Sequence, residues 1–253
     1  MKGAVVMARV PILVLLAVIS ALTFSVRDCN ASYVEDARFL TVDGYELAGS
    51  YYQGTTGAPS VLLLHQLGSD RGEMQGLAYE LQGRGFNVLA YDARGHGQSV
   101  MKAGRKVTWK SFGDRDFEDM ALDIDAAVWY LEGRTGQRAA KLGIVGASIQ
   151  SSTGLLYASR HDSVKALVML SPGLDYRGIG TIGPMGLYSG RPLFMAASRG
   201  DERSADAMDR LGFIAGGKAK VFLLDGKAHG VSMFGTYPAL PGKVASWLRK
   251  NLK

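Results

Sequence analysis

A single cysteine, Cys29, stands in 253 residues; one thiol supports neither a disulfide framework nor a thiolate zinc cluster. No run of five or more basic residues occurs, and no basic–aromatic interleaving marks a nucleic-acid groove. The net charge of +6 therefore reads as a solvated surface, with no nucleic-acid partner expected. Internal repeats and low-complexity stretches are missing, and no Pro/Gly/Ser linker follows the first 31 residues. With 47% apolar and 21% charged residues, the chain is neither disordered nor fibrous. Glycine is in excess: 33 of 253 residues, about 13%, against roughly 7% on average. Tight turns and close backbone approaches are expected.

Lys2 and Arg9 precede an apolar run over residues 10–26, the pattern of a secretory signal. Its 17 residues are the lower limit for spanning a bilayer, so a retained anchor is the alternative to cleavage. Cys29 follows Val26-Arg27-Asp28, a poor small-residue box for a lipidated cysteine. The reading is residues 1–31 as signal peptide or anchor, residues 32–253 as one domain, and export to the periplasm or exterior. Membrane contact is expected only through that segment.

Asp43-Gly44 splits residues 38–43 from 45–52 as a β-hairpin. Residues 60–65, 86–91, 141–145, 166–170, 192–197 and 220–224 read as strands, several of them continuously apolar, as in strands buried on both faces. Between them fall helical segments at 71–84, at Phe117–Leu131, at 149–160 and around 204–211, and Val244, Trp247 and Leu248 line a last amphipathic helix. Strand–helix alternation implies a mostly parallel sheet with helices on both faces, an α/β class.

Ser148 sits where a buried strand meets a helix, with Gly146 two residues before it. A strained turn there would lift the hydroxyl over the sheet edge, and the helix N-terminus would offer N–H groups to an oxyanion. The alternative is a serine that merely caps the helix. A serine needs a base, and the base a carboxylate. Of His65, His96, His161 and His229, only His229 follows the last strand; Asp201 follows the strand before. Asp225 and Asp175 are fallback acids. His65 reads as structural or pocket-lining, His96 as holding loop geometry, His161 as exposed. The acidic stretch 114–125 reads as a solvated face or a helix-dipole partner.

These segments together resemble the α/β-hydrolase family over essentially the whole chain after the leader. Val61-Leu-Leu-Leu-His65-Gln66-Leu67-Gly68 is similar to its oxyanion segment, and Asp92-Ala-Arg94-Gly95-His96-Gly97-Gln98-Ser99 to its Asp-x-Arg-Gly-His-Gly-x-Ser loop. The elbow and the Ser148…Asp201…His229 order complete the pattern. The resemblance points to serine esterases and dienelactone-hydrolase-like members with a small lid or none. It implies the α/β-hydrolase fold, Ser148 as nucleophile, His229 as base then acid, Asp201 as orienting carboxylate, and Leu67 and Ile149 as oxyanion donors. It implies a small-molecule ester substrate, no cofactor and no metal. A peptidase, an acyltransferase and an inactive binding protein of this fold are the competing readings.

Two departures stand out. Gln150 replaces the small residue usual two positions after the serine, where helix and strand pass closely. Gln66 replaces the usual glycine before Leu67. Gly178-Ile-Gly180-Thr-Ile-Gly183 matches G-x-G-x-x-G but neither closes a strand nor precedes an uninterrupted helix, so nucleotide binding is rejected. The short interval 171–191 leaves no room for a helical cap; Tyr176, Ile179, Ile182, Met185, Leu187 and Tyr188 are expected to wall a shallow pocket suited to short acyl chains.

Overall fold

The structure, a computed structural model, describes residues 33–136 and 141–252; the expected leader lies outside them. Among the described residues no helix is long and apolar enough to cross a membrane.

The hairpin forms as β1 (Val34–Leu40) and β2 (Tyr45–Tyr52), with Asp43-Gly44 in the turn. Then come β3 (Ser60–Leu64), α1 (Gln75–Gln82), β4 (Asn87–Tyr91), a small β5 (Met101–Lys102) and β6 (Arg105–Lys106), α2 (Asp114–Glu118) and α3 (Ala121–Thr135). The second half runs β7 (Leu142–Ala147), α4 (Ile149–Arg160), β8 (Val164–Leu170), β9 (Asp175–Tyr176), β10 (Ile179–Gly180), α5 (Ile182–Tyr188), β11 (Leu193–Ser198), α6 (Glu202–Ala215) and β12 (Ala219–Leu224). Two helices close the described chain, α7 (Met233–Thr236) and α8 (Leu240–Asn251).

The sheet order is β12-β11-β8-β7-β3-β4-β2-β5-β6, with β1 on β2. From β12 to β4 every pairing is parallel, and the β1, β2, β5 and β6 pairings are antiparallel. Alternation along each strand divides the core between the faces. Leu62, Leu64 and Ile144 meet α3, α4, α5 and α6, whereas Val61, Leu63 and Val145 meet α1 and α8. β3 and β7 are adjacent while the chain leaves β3 first for β4 on the other side. The winding direction therefore reverses between them, and a crevice opens at the carboxyl ends of such a pair.

Three expectations are corrected here. Tyr188 and Met185 are fully buried in the core, Ile179 nearly so, and Ile182 and Leu187 face solvent. The five form no common wall: α5, the crossover between the parallel neighbours β8 and β11, packs back along the sheet and turns Met185 and Tyr188 into the core, while Ile179 lines a depression with Arg115, Leu156 and Arg160. Asp123 belongs to no solvated face: it is fully buried. His161 is half-buried, stacked on Tyr157 at 3.8 Å between ring centroids.

Candidate active site

Ser148 joins β7 to α4 with φ 54° and ψ −126°, a region non-glycine residues avoid unless their surroundings impose it. The surroundings do. Its N–H donates to the Leu170 carbonyl at the end of β8 (2.8 Å), and its own carbonyl accepts from Ser151 N–H (2.9 Å) and Oγ (2.6 Å). The hydroxyl makes no helix-capping bond. It meets His229 Nε2 at 2.8 Å instead.

Asp201 stands at the N-cap of α6, yet its carboxylate does not bond the helix amides. Oδ2 accepts from His229 Nδ1 at 2.7 Å, which leaves Nε2 with the lone pair that faces the serine. The loop bearing His229 is held from three sides: Ser198 Oγ donates to the Ala228 carbonyl (2.7 Å), Gly230 N–H to Ser171 Oγ (2.9 Å) and His229 N–H to Ser232 Oγ (3.0 Å). The His229 side chain is 39% exposed and that of Asp201 14%, so water can reach the imidazole while the acid is shielded. Of the fallback acids, Asp225 is almost fully exposed and pairs with Arg199 at 3.2 Å, and Asp175 accepts from Gly178 N–H at 3.1 Å.

At the end of β3 the buried His65 has its tautomer set by two bonds. Nδ1 donates to the Gln66 carbonyl (2.8 Å) and Nε2 accepts from Ala93 N–H (3.0 Å). Burial holds its pKa below the usual imidazole value. Glu73 takes the Gln66 N–H at 2.7 Å, and the chain turns so that the next N–H, that of Leu67, is free. Among the described residues no protein acceptor takes the N–H of Leu67 or of Ile149, the first residue of α4. The side chain of Gln66 reaches the turn after His229: a Cβ on Gly230 would lie 2.1 Å from its Oε1.

Gln150 neither tilts α4 away nor points outward. It is 2% exposed, its Nε2 donates to Met120 Sδ at 3.3 Å, and its Oε1 has no partner. The close approach of helix to strand is met at Gly146.

The loop after β4 is a structural clamp. Asp92 accepts from Arg71 N–H (2.8 Å), from the Arg71 guanidinium and from Gln98 N–H (2.8 Å). Arg94, 1% exposed, binds Asp123 through Nε (2.7 Å) and its own N–H (2.8 Å), and forks onto Asp43 at 3.0 Å. Burial pushes the Asp123 carboxyl up to about 6, against the pull of Arg94. His96 is buried between His65 (5.1 Å, edge-on) and Trp109 (5.6 Å, stacked), and burial lowers its pKa to about 4.

Sequence reading passed over Glu73, Ser171 and Trp109. Glu73 and Ser171 act through backbone N–H groups, which carry no residue signature. Trp109, packed against Gly68 beside the Leu67 turn, opens a single 3-10 turn over Trp109–Ser111, too short for any periodicity to mark it.

Comparison with known proteins adds five likenesses. The family model described as serine aminopeptidase, S33, matches residues 57–188, just over half of the chain. A thiohydrolase, aneE, of Aspergillus aculeatus is 26% identical over 150 residues, 59% of this chain and 45% of that protein. An uncharacterized protein of Mycobacterium tuberculosis H37Rv is 28% identical over 144 residues, 56% of this chain and 47% of its own. The matches thus span about half the length of these curated relatives. A Pyrococcus furiosus esterase superposes with TM-score 0.70 at 20% identity, covering 88% of this chain and 94% of its own. A dienelactone hydrolase from Anabaena variabilis superposes at 0.67 and 16% identity, covering 87% and 99%. At such identities the structural likeness is one of fold.

Proposed function

The chain belongs to the serine aminopeptidase family S33 of α/β hydrolases and has their fold, and we propose that it cleaves carboxylic esters through an acyl-enzyme on Ser148. The observation that carries this reading is the unbroken chain from Ser148 Oγ to His229 (2.8 Å) to Asp201 (2.7 Å) on a strained turn.

In the proposed cycle Ser148 Oγ attacks the ester carbonyl carbon and its proton passes to His229 Nε2. Asp201 holds the imidazole tautomer and balances the imidazolium. The oxyanion accepts from the N–H groups of Leu67 and Ile149, donors fixed before the charge develops. His229 returns the proton to the leaving alkoxide, then takes one from the water that releases the acid. Short acyl chains are favoured because the interval before β11 forms a crossover helix rather than a cap. Export through the leader over residues 1–31 is part of the proposal, and cell fractionation tests it.

The family's description makes a peptidase the second reading. A fluorophosphonate probe, then p-nitrophenyl butyrate beside an aminoacyl arylamide and an acyl thioester, separates the cases. Labelling that vanishes in Ser148→Ala, with turnover of the butyrate, is expected. Faster turnover of the arylamide would move the assignment to a peptidase.

A further inference from the structure

We propose that the groove between β12 and α8 docks this protein onto an anionic lipid bilayer.

β12 is the outermost strand on its side of the sheet, so its face toward α8 is open along one flank. Phe222 of β12 stacks on Phe194 of β11 at 4.8 Å, and Phe194 meets Trp247 of α8 edge-on at 5.7 Å. The three rings floor a groove of about 560 Å³. Its rim is cationic. Lys220 Nζ lies 5.9 Å and Lys243 Nζ 5.5 Å from the Phe222 ring centroid. Neither lysine makes an ion pair among the described residues. Arg84, the third cation, is neutralised by Glu80 at 2.6 Å and tied to Ser246 at 2.7 Å. No carboxylate lines the groove. An aromatic floor under two uncompensated ammonium groups suits a surface that is apolar below and anionic above, and tryptophan and lysine both favour the headgroup level of a bilayer.

The chain's point of entry argues for a bilayer rather than another anion. The carbonyl of Tyr33 accepts from Gln82 Nε2 at 2.9 Å and from Gln53 N–H at 3.1 Å. Gln82 lies two residues before Arg84 on the groove rim. The first described residue, Tyr33, is thus held against α1, the helix that leads to Arg84, and the apolar run over residues 10–26 precedes it in sequence. The six residues between that run and Tyr33 reach at most about 25 Å. A retained run would tether the domain to the membrane within that reach. The groove shares no residue with the Ser148–His229–Asp201 chain, so docking leaves that site free.

The test is sedimentation of the full chain with vesicles of neutral phosphatidylcholine, or of phosphatidylcholine mixed with phosphatidylglycerol. Wild type is compared with the Lys220→Gln/Lys243→Gln variant; both lysines are exposed, so folding is unaffected. The amino-terminal run contributes equally in both proteins and cancels. Each lysine near an anionic surface is worth about fivefold in binding, so the variant is expected to lose roughly 30-fold on the anionic vesicles and nothing on the neutral ones. High salt should abolish the difference. Equal preference for anionic vesicles in the two proteins overturns the proposal. So does lysine-dependent binding of monomeric dihexanoyl phosphatidylglycerol as tight as that of vesicles, which assigns the groove to one free amphiphile. Lysine-dependent self-association without lipid overturns it in favour of a second copy of the chain.

Discussion

A Cβ on Gly146 would stand 2.5 Å from the carbonyl oxygen of Gln150. The last turn of β7 and the first turn of α4 touch backbone to backbone, and this contact sets the angle at which Ser148 is presented. Gly146→Ala should cost about 1–3 kcal/mol by overpacking and depress kcat. Gly183→Ala, on α5 with nothing within 4 Å, should be neutral or slightly stabilising. Urea unfolding of both variants checks this; equal stabilities would contradict the close-approach argument.

Ser148→Ala and His229→Ala should each lower kcat by about 10⁴–10⁶, and the double variant should be little worse, because nucleophile and base act as one unit. Steady-state turnover of a p-nitrophenyl ester measures it. Near-wild-type turnover by Ser148→Ala would sink the mechanism.

Asp201→Asn should leave the fold intact and cost up to about 10⁴ in kcat, since the amide favours the wrong imidazole tautomer. Asp225→Asn removes only an exposed contact with Arg199 and should be mild. The reverse ranking of the two variants would reassign the acid.

A chain-length series from acetate to palmitate should show kcat/KM peaking at about two to six acyl carbons. Each buried CH₂ adds roughly 0.8 kcal/mol until the site is full, and no cap extends it. A preference for palmitate, or a rate jump at the micellar threshold, would point to a lipase.

Stability should fall as pH drops from 6.5 toward 4. The unfolded chain protonates histidine at its ordinary 6.5, whereas burial keeps the folded His96 neutral to about 4. His65 acts in the same sense. Asp123 opposes them: its folded carboxyl protonates near 6 and the unfolded one at 3.8, so its contribution improves as pH falls. His96→Asn should therefore flatten the pH profile of unfolding free energy by up to about 3 kcal/mol between pH 6.5 and 4. Parallel profiles of variant and wild type would show that His96 does not titrate as buried.

The strand runs at 60–65, 86–91 and 141–145 could be read from sequence because apolar continuity is a local property that burial on both faces demands. The chain order of Ser148, Asp201 and His229 was likewise legible, whereas the close approach of helix to strand expected at position 150 falls at Gly146. What the chain alone could not supply was contact. Ser148 and His229 lie 81 residues apart and come within 2.8 Å only because β7 and β12 end at the same edge of one sheet. Asp123 looked like one more charge on an acidic helix until the fold placed it against Arg94, 29 residues away, at 2.7 Å. Met185 and Tyr188 looked like pocket walls, but a right-handed crossover turned them into the core. Gln150 could have pointed several ways; Met120, in the turn between α2 and α3, decided. Periodicity and turn chemistry are written into neighbouring residues, whereas which side chains meet depends on strand order and crossover direction, which no short stretch of chain contains.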